Sequence, residues 1–334
     1  MKKTRLVRIT ALVASVGAIA GVVVAHGSAF PRAVHPSVGK VVARIPIPPN
    51  SGALAVGSGA VWVTSDAVPT LLRIDPATNT VVARQTIVSK NVCTGLPGSC
   101  GEAAVGNGAL WIVRLFDDSV LRIDPRDNSV AATIPVGPQP EGIATTPGAV
   151  WVVNKGGPSV SRIDPATNQV VATVRIGPAQ TCCADHMAVA ASAGAVWVTL
   201  PSAESVIRID PSTNKVVARV RLTQQPCAFL AAGGSTIWAA AGSCAGSIMR
   251  INGGANRPTG KVDGMSSAVG IAVGFGSVWV ADLDARQIVR VDPLTDRIVA
   301  RLRIRGVPVR LAVGFGSLWV RDDTGRVLRI KPAS

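Results

Sequence analysis

Apolar positions in this chain come in short runs separated by turn-forming residues. The stretch GIAVGFGSVWVADLDARQIVRVDPLTDRIVARLRI, residues 270–304, holds four such runs. GIAV predicts one strand, and a Gly-rich tight turn leads to SVWVA. A polar loop then leads to QIVRVD, and Asp-Pro-x-Thr-Asp turns the chain into IVARLRI. Proline fixes φ in that turn, and the aspartate side chain bonds nearby backbone N–H groups. The runs are rich in β-branched residues and carry no helical period, so four β-strands are expected.

The same unit recurs. Seven tryptophans (Trp62, Trp111, Trp151, Trp197, Trp238, Trp279 and Trp319) are spaced by 49, 40, 46, 41, 41 and 40 residues. Each sits in a phrase such as GSGAVWVT or GFGSLWVR. About 11 residues later comes Arg-Ile-Asp-Pro or a variant, at Arg73, Arg122, Arg162, Arg208, Arg250, Arg290 and Arg329. Four strands in roughly 41 residues, repeated, is the signature of a β-propeller, and seven copies predict seven blades. A solenoid would need capping repeats at its ends. Here the ends are complementary. The last copy stops after its third strand, and GKVVARIPIP near the start is a fourth strand with nothing before it. An all-β, seven-bladed propeller is therefore expected, with residues 38–48 completing the last blade.

Units of the form GIAVGxGSVWVxN…RIDPxTNxVVAxI resemble the YVTN/YncE-like family of bacterial propellers. They are also similar to the repeats of streptogramin (virginiamycin B type) lyases. The resemblance spans about residues 38–332 and implies the propeller fold. The lyase likeness implies clustered His and Glu residues with a magnesium ion. This chain has one histidine inside its repeats, His186, and no H-x-[EH] cluster.

The N-terminus breaks the pattern. Lys2, Lys3, Arg5 and Arg8 precede ITALVASVGAIAGVVVA, residues 9–25, and no charged residue follows until Arg32. Residues 1–29 read as a signal peptide or an N-terminal membrane anchor, and 30–37 as a short linker. Both readings export the remainder, to be secreted or held at the membrane. Losing residues 1–29 removes four basic charges and leaves +11 of the net +15. Arginines recur at one place per blade, which reads as structural pairing with the same or the next blade. They form no clustered stripe with stacking aromatics, so nucleic-acid binding is not expected. The partner is expected to be a protein, a glycan or a small molecule, and the chain a monomer.

Irregularity is confined to particular connections. From each VVA-type run to the next tryptophan the intervals are 21, 30, 21, 27, 22 and 21 residues. The long ones join an outer strand to the next inner strand. The cysteines fall on that same expected face: Cys93 and Cys100 in the first insertion, Cys182 and Cys183 in the second, and Cys227 and Cys244 in blade five. Six cysteines in an exported chain suggest disulfides. Cys93–Cys100 and Cys227–Cys244 are the favoured pairs, leaving Cys182 and Cys183 as a vicinal bridge or two thiols. A bond from Cys182 or Cys183 to Cys227 is the alternative.

Alignment on the tryptophans places Glu102, Glu141, His186 and Arg310 at the mouth of the central channel. Arg114, Asp282 and Arg321 fall near the same rim, and Lys155 in a rim loop. All of these but Lys155 are the ligand-binding candidates. Two thiolates and an imidazole in CCADH would suit zinc or copper, but an exported vicinal pair favours oxidation, so no metal is assigned. No nucleophile elbow, zinc-protease or phosphate-loop motif is present. The expected role is a binding module using the cysteine-bearing face. The alternative is a lyase or hydrolase with His186 as acid/base, helped by Glu141 or Glu102, and magnesium only in that case.

Overall fold

The computed structural model describes residues 37–49, 51–65, 70–87, 102–177, 186–192, 194–242 and 245–333. Among these residues the strands form seven four-stranded antiparallel sheets. Six sheets follow chain order. Blade six, for example, runs through Ala268–Gly274, Ser277–Asp282, Gln287–Asp292 and Arg297–Arg303, the four strands expected from 270–304. The seventh combines Pro308–Gly314, Ser317–Asp322 and Arg326–Pro332 with Gly39–Pro46 as its outer strand. Gly39 pairs with Pro332 and Pro46 with Arg326. The N-terminal strand thus closes the ring as the sequence predicts.

All seven tryptophans are at most 1% exposed. Each lies on the second strand of its blade, and its ring faces the next blade. Trp62 packs with Leu110 and Ile112, Trp111 with Val150 and Val152, and Trp319 with Val61 and Val63. The core is therefore a ring of clusters between blades, and removing one such indole costs about 3–5 kcal/mol. The indole N–H donates backward within its own blade, from Trp62 to Gly57 O (3.1 Å) and from Trp279 to Gly274 O (2.9 Å). The accepting glycine has a second duty. A Cβ at Gly57 would stand 2.7 Å from Val105 Cγ1 of blade two, and one at Gly233 2.5 Å from Val273 Cγ1 of blade six. At these positions the inner strands lie too close for a Cβ, whereas blades three and four hold Thr146 and Ser192 at the equivalent place.

The repeated arginine and the Asp-Pro-x-Thr-Asn turn work together. The aspartate accepts from the backbone N–H two residues on, as Asp75 does from Ala77 (2.8 Å) and Asp164 from Ala166 (2.8 Å). The terminal asparagine takes left-handed φ, 59° at Asn79 and 58° at Asn168, which asparagine tolerates well. Its side chain then accepts from the arginine of the preceding blade. Arg122 Nη1 donates to Asn168 Oδ1 (2.8 Å) and Pro165 O (2.9 Å). Arg329 of blade seven likewise reaches Asn79 Oδ1 (2.9 Å) and Pro76 O of blade one. Each of these guanidiniums also lies over its own blade's indole, at 5.5 Å for Arg122 and 5.0 Å for Arg329. In blade five Arg250 pairs with Asp296 of blade six at 2.9 Å. The basic repeat supplies latches between neighbouring blades, as its even spacing implied; between blades one and two the acceptor Asn128 Oδ1 finds no partner among the described residues.

Two faces result. Hairpins between first and second strands, and turns between third and fourth, share one face, the hairpin face. Loops between second and third strands, and the connections between blades, share the other, the mouth face. Among the described residues no helix is long and apolar enough to cross a membrane.

Candidate functional site

Inner strands begin at the mouth face, so their first residues ring the channel opening. Glu141 is the second residue of the inner strand Pro140–Thr146 in blade three. Its side chain is only 9% exposed yet carries three interactions. Oε2 accepts from Met187 N at 2.7 Å, Oε1 lies 3.1 Å from His186 Nδ1, and Lys155 Nζ stands 3.6 Å from Oε1. The Met187 bond fixes the carboxylate against the start of blade four. An ionised carboxylate only accepts, so Nδ1 of His186 donates and Nε2 is the nitrogen turned outward. His186 is the open member, its side chain 46% exposed. The sequence reading joined His186 to Glu141 or Glu102 only in the enzyme alternative, and left Lys155 apart in a rim loop. The structure makes Lys155, Glu141 and His186 one Lys–Glu–His cluster between blades three and four.

Arg310 forms the second group. It sits on the inner strand Pro308–Gly314 of blade seven, and its Nη2 is 2.9 Å from Glu102 Oε1 of blade two. The same guanidinium lies 5.3 Å from the ring of Phe229 in blade five. Blade one separates seven from two, and blade six separates seven from five. Contacts between non-adjacent inner strands run across the channel, so the Arg310 side chain spans its mouth. Phe229 had no part in the sequence reading. Its signal was an aromatic at the start of an inner strand, where small residues otherwise dominate.

The remaining candidates are placed differently. Arg114 pairs with Asp117 within its own loop. Asp282 is fully buried and its oxygens are taken: Oδ1 by Ser266 N (3.0 Å) and Ser267 N (2.9 Å), Oδ2 by Gln287 Nε2 (2.8 Å). Arg321 is also 0% exposed. Both were expected near the rim as ligand-binding candidates. Their side chains are buried there, because alternation along the second strand turns these positions toward neighbouring strands and blades. Cys227 is half-buried against the Trp238 cluster. Cys93, Cys100, Cys182, Cys183 and Cys244 lie outside the described residues, and with them every pairing weighed above.

Among the described residues no group of three or more His, Cys, Asp or Glu is arranged to hold a metal. Magnesium needs several oxygen ligands. The two mouth carboxylates instead stand in cationic company, Glu141 with Lys155 and His186, and Glu102 with Arg310. That donor set does not fit the ion.

No protein-family model matches the chain, and no curated protein matches it. Solved structures do. The chain is similar to virginiamycin B lyase from Staphylococcus aureus, with a TM-score of 0.70 at 13% identity over 87% of this chain and 99% of that one. It is similar to a chain of the mitotic checkpoint complex, with a TM-score of 0.73 at 9% identity over 96% and 99%. A chain of Kuenenia stuttgartiensis hydrazine synthase follows, with a TM-score of 0.56 at 18% identity over 71% and 77%. At such identities the likeness establishes architecture, and with the seven closed sheets it makes this chain a seven-bladed β-propeller.

Proposed function

We propose that the chain is an exported propeller of the YVTN/YncE-like kind, acting as a monomeric binding module through its mouth face. One observation carries this reading. Arg310 reaches across the channel to Glu102 and Phe229, so fixed charges and an aromatic ring meet at the mouth. A partner would rest there, with Lys155, Glu141 and His186 at its edge. The use of a similar fold in the mitotic checkpoint complex supports recognition of a protein. The test is a pull-down with the secreted domain and its Glu141→Gln and Arg310→Ala variants. Capture of a partner by wild type, weakened at least tenfold in both variants, is the expected result. Equal capture by all three would sink the assignment.

A second reading rests on the His186–Glu141 pair. A carboxylate that orients an imidazole and leaves Nε2 outward is an arrangement for proton transfer. The fold likeness to virginiamycin B lyase supports asking whether the chain opens a cyclic depsipeptide. Turnover that disappears in His186→Ala while folding is kept would establish this reading and displace the first.

A further inference from the structure

On the hairpin face, several local rules are broken, and all the breaks fall on blades six and seven. Phe275 and Phe315 occupy the first position of their two-residue turns with φ of 53° and 50°. That conformation suits Asn or Gly and is unfavourable for a bulky side chain. Blades one and two place Ser58 and Asn107 there. Yet both phenylalanines point outward, 44% and 41% exposed. Leu294, in the turn between third and fourth strands of blade six, is 86% exposed, where other blades have Ala77, Arg126, Ala166 or Ser212. The two hairpins are neighbours, since a Cβ on Gly274 would stand 3.1 Å from Val313 Cγ2 of the next inner strand.

Charge is arranged as unusually. Lys331 pairs directly across from Lys40. The matching pairs elsewhere are Asp75 with Thr80, Asp164 with Gln169 and Asp292 with Arg297. Like charges directly opposite are unfavourable unless something anionic lies over them. Lys40, Lys331 and Arg297 are all exposed at this end of their strands. The chain also enters the ring here. Arg290 Nη1 grips Ser37 O (2.9 Å) and Ala333 O (3.1 Å), where the other blades grip a turn. Twelve residues upstream of Ser37 ends the uncharged stretch 9–25.

We infer that the hairpin face of blades six and seven docks on an anionic phospholipid bilayer. Phe275, Phe315 and Leu294 enter the headgroup boundary, and Lys40, Lys331 and Arg297 meet lipid phosphates. Aromatic and leucine side chains beside lysines and arginines are the composition of an interfacial surface. The mouth face then points away from the bilayer, open to a partner.

The full chain is reconstituted into phosphatidylcholine vesicles containing phosphatidylglycerol and brominated lipid. Phe275→Trp, Phe315→Trp and, on the mouth face, Phe116→Trp each add one exposed indole to seven buried ones. Quenching and a blue shift at positions 275 and 315, with an unquenched indole at 116, are expected. An unquenched indole at 275 and 315, or quenching as strong at 116, overturns the proposal. Adding Lys40→Glu and Lys331→Glu should cut the quenching at 275 at least threefold, and unchanged quenching would remove the anionic lipid from the inference. Phe275→Asn with Phe315→Asn should unfold at a higher temperature than wild type. A fall would mean that the phenylalanines serve the fold, against the proposal.

Discussion

Replacing Arg329 with alanine should weaken the seam between blades seven and one more than any exposed arginine does. The guanidinium stacks on Trp319 at 5.0 Å, donates from Nε to Ser317 Oγ at 2.8 Å, and donates from its terminal nitrogens to Asn79 Oδ1, Pro76 O and Phe315 O. Stacking of this kind contributes about 0.5–2 kcal/mol. Bonds from a charged donor contribute about 1.5–3 kcal/mol each, but the acceptors here are partly reached by water and the bonds act as a unit. A total near 3 kcal/mol follows, or a fall of about 5 °C in Tm for a propeller of roughly 300 residues. Arg329→Lys keeps the charge but not the planar fork, and should recover less than half. The control is Arg126→Ala. Arg126 also pairs with an aspartate on the hairpin face, but its side chain is 88% exposed, and no measurable shift is expected. Thermal unfolding followed by far-ultraviolet circular dichroism gives the comparison. If Arg329→Ala and Arg126→Ala melt together, the latches add nothing and the apolar clusters alone hold adjacent blades.

Deleting residues 37–46 should lower Tm by more than any single substitution above, since it bares the edge of Arg326–Pro332 and removes buried Ile45. Light scattering should then detect self-association. Gly233→Ala should cost about 1–3 kcal/mol in urea unfolding, because its Cβ would meet Val273 Cγ1 at 2.5 Å, whereas Gly254→Ala, whose nearest neighbour is 3.4 Å away, should be near neutral. Acid should loosen the turns. Backbone or hydroxyl donors hold Asp75, Asp210 and Asp292 below the usual carboxylate range. Because the folded values are depressed, this stabilisation is complete above about pH 4 and is lost as pH falls toward 2. Desolvation raises Asp296, which opposes the trend. A pH series of unfolding midpoints that stays flat from 4 to 2 would contradict the reading.

The strands were legible because their causes are local. Turn chemistry at Asp75–Asn79, glycine beside each tryptophan and the alternation within VVA-type runs all lie within a few residues of what they determine. The closing strand was legible because a unit was visibly incomplete. The latches were half legible. Repetition marked the arginines as structural, but the acceptor is Asn168 or Asn79 of another blade, and no spacing reveals it. The mouth was least legible. Arg310 meets Glu102 and Phe229 across the axis, and no repeat contains a contact between non-adjacent blades. Asp282 and Arg321 misled for the converse reason, since a position near the rim in sequence is turned inward by the strand's own alternation.

The pairing of Gly39 with Pro332 also sets an order of events. Contacts this distant in sequence are slow to form because a long loop must close first. The strand synthesised first stays without its partner until the last one exists, so six blades can stack while the seam is open. Closure then acts as a completeness check: a chain truncated near its C-terminus has no place for its own beginning, and the unpaired strand marks it as unfinished.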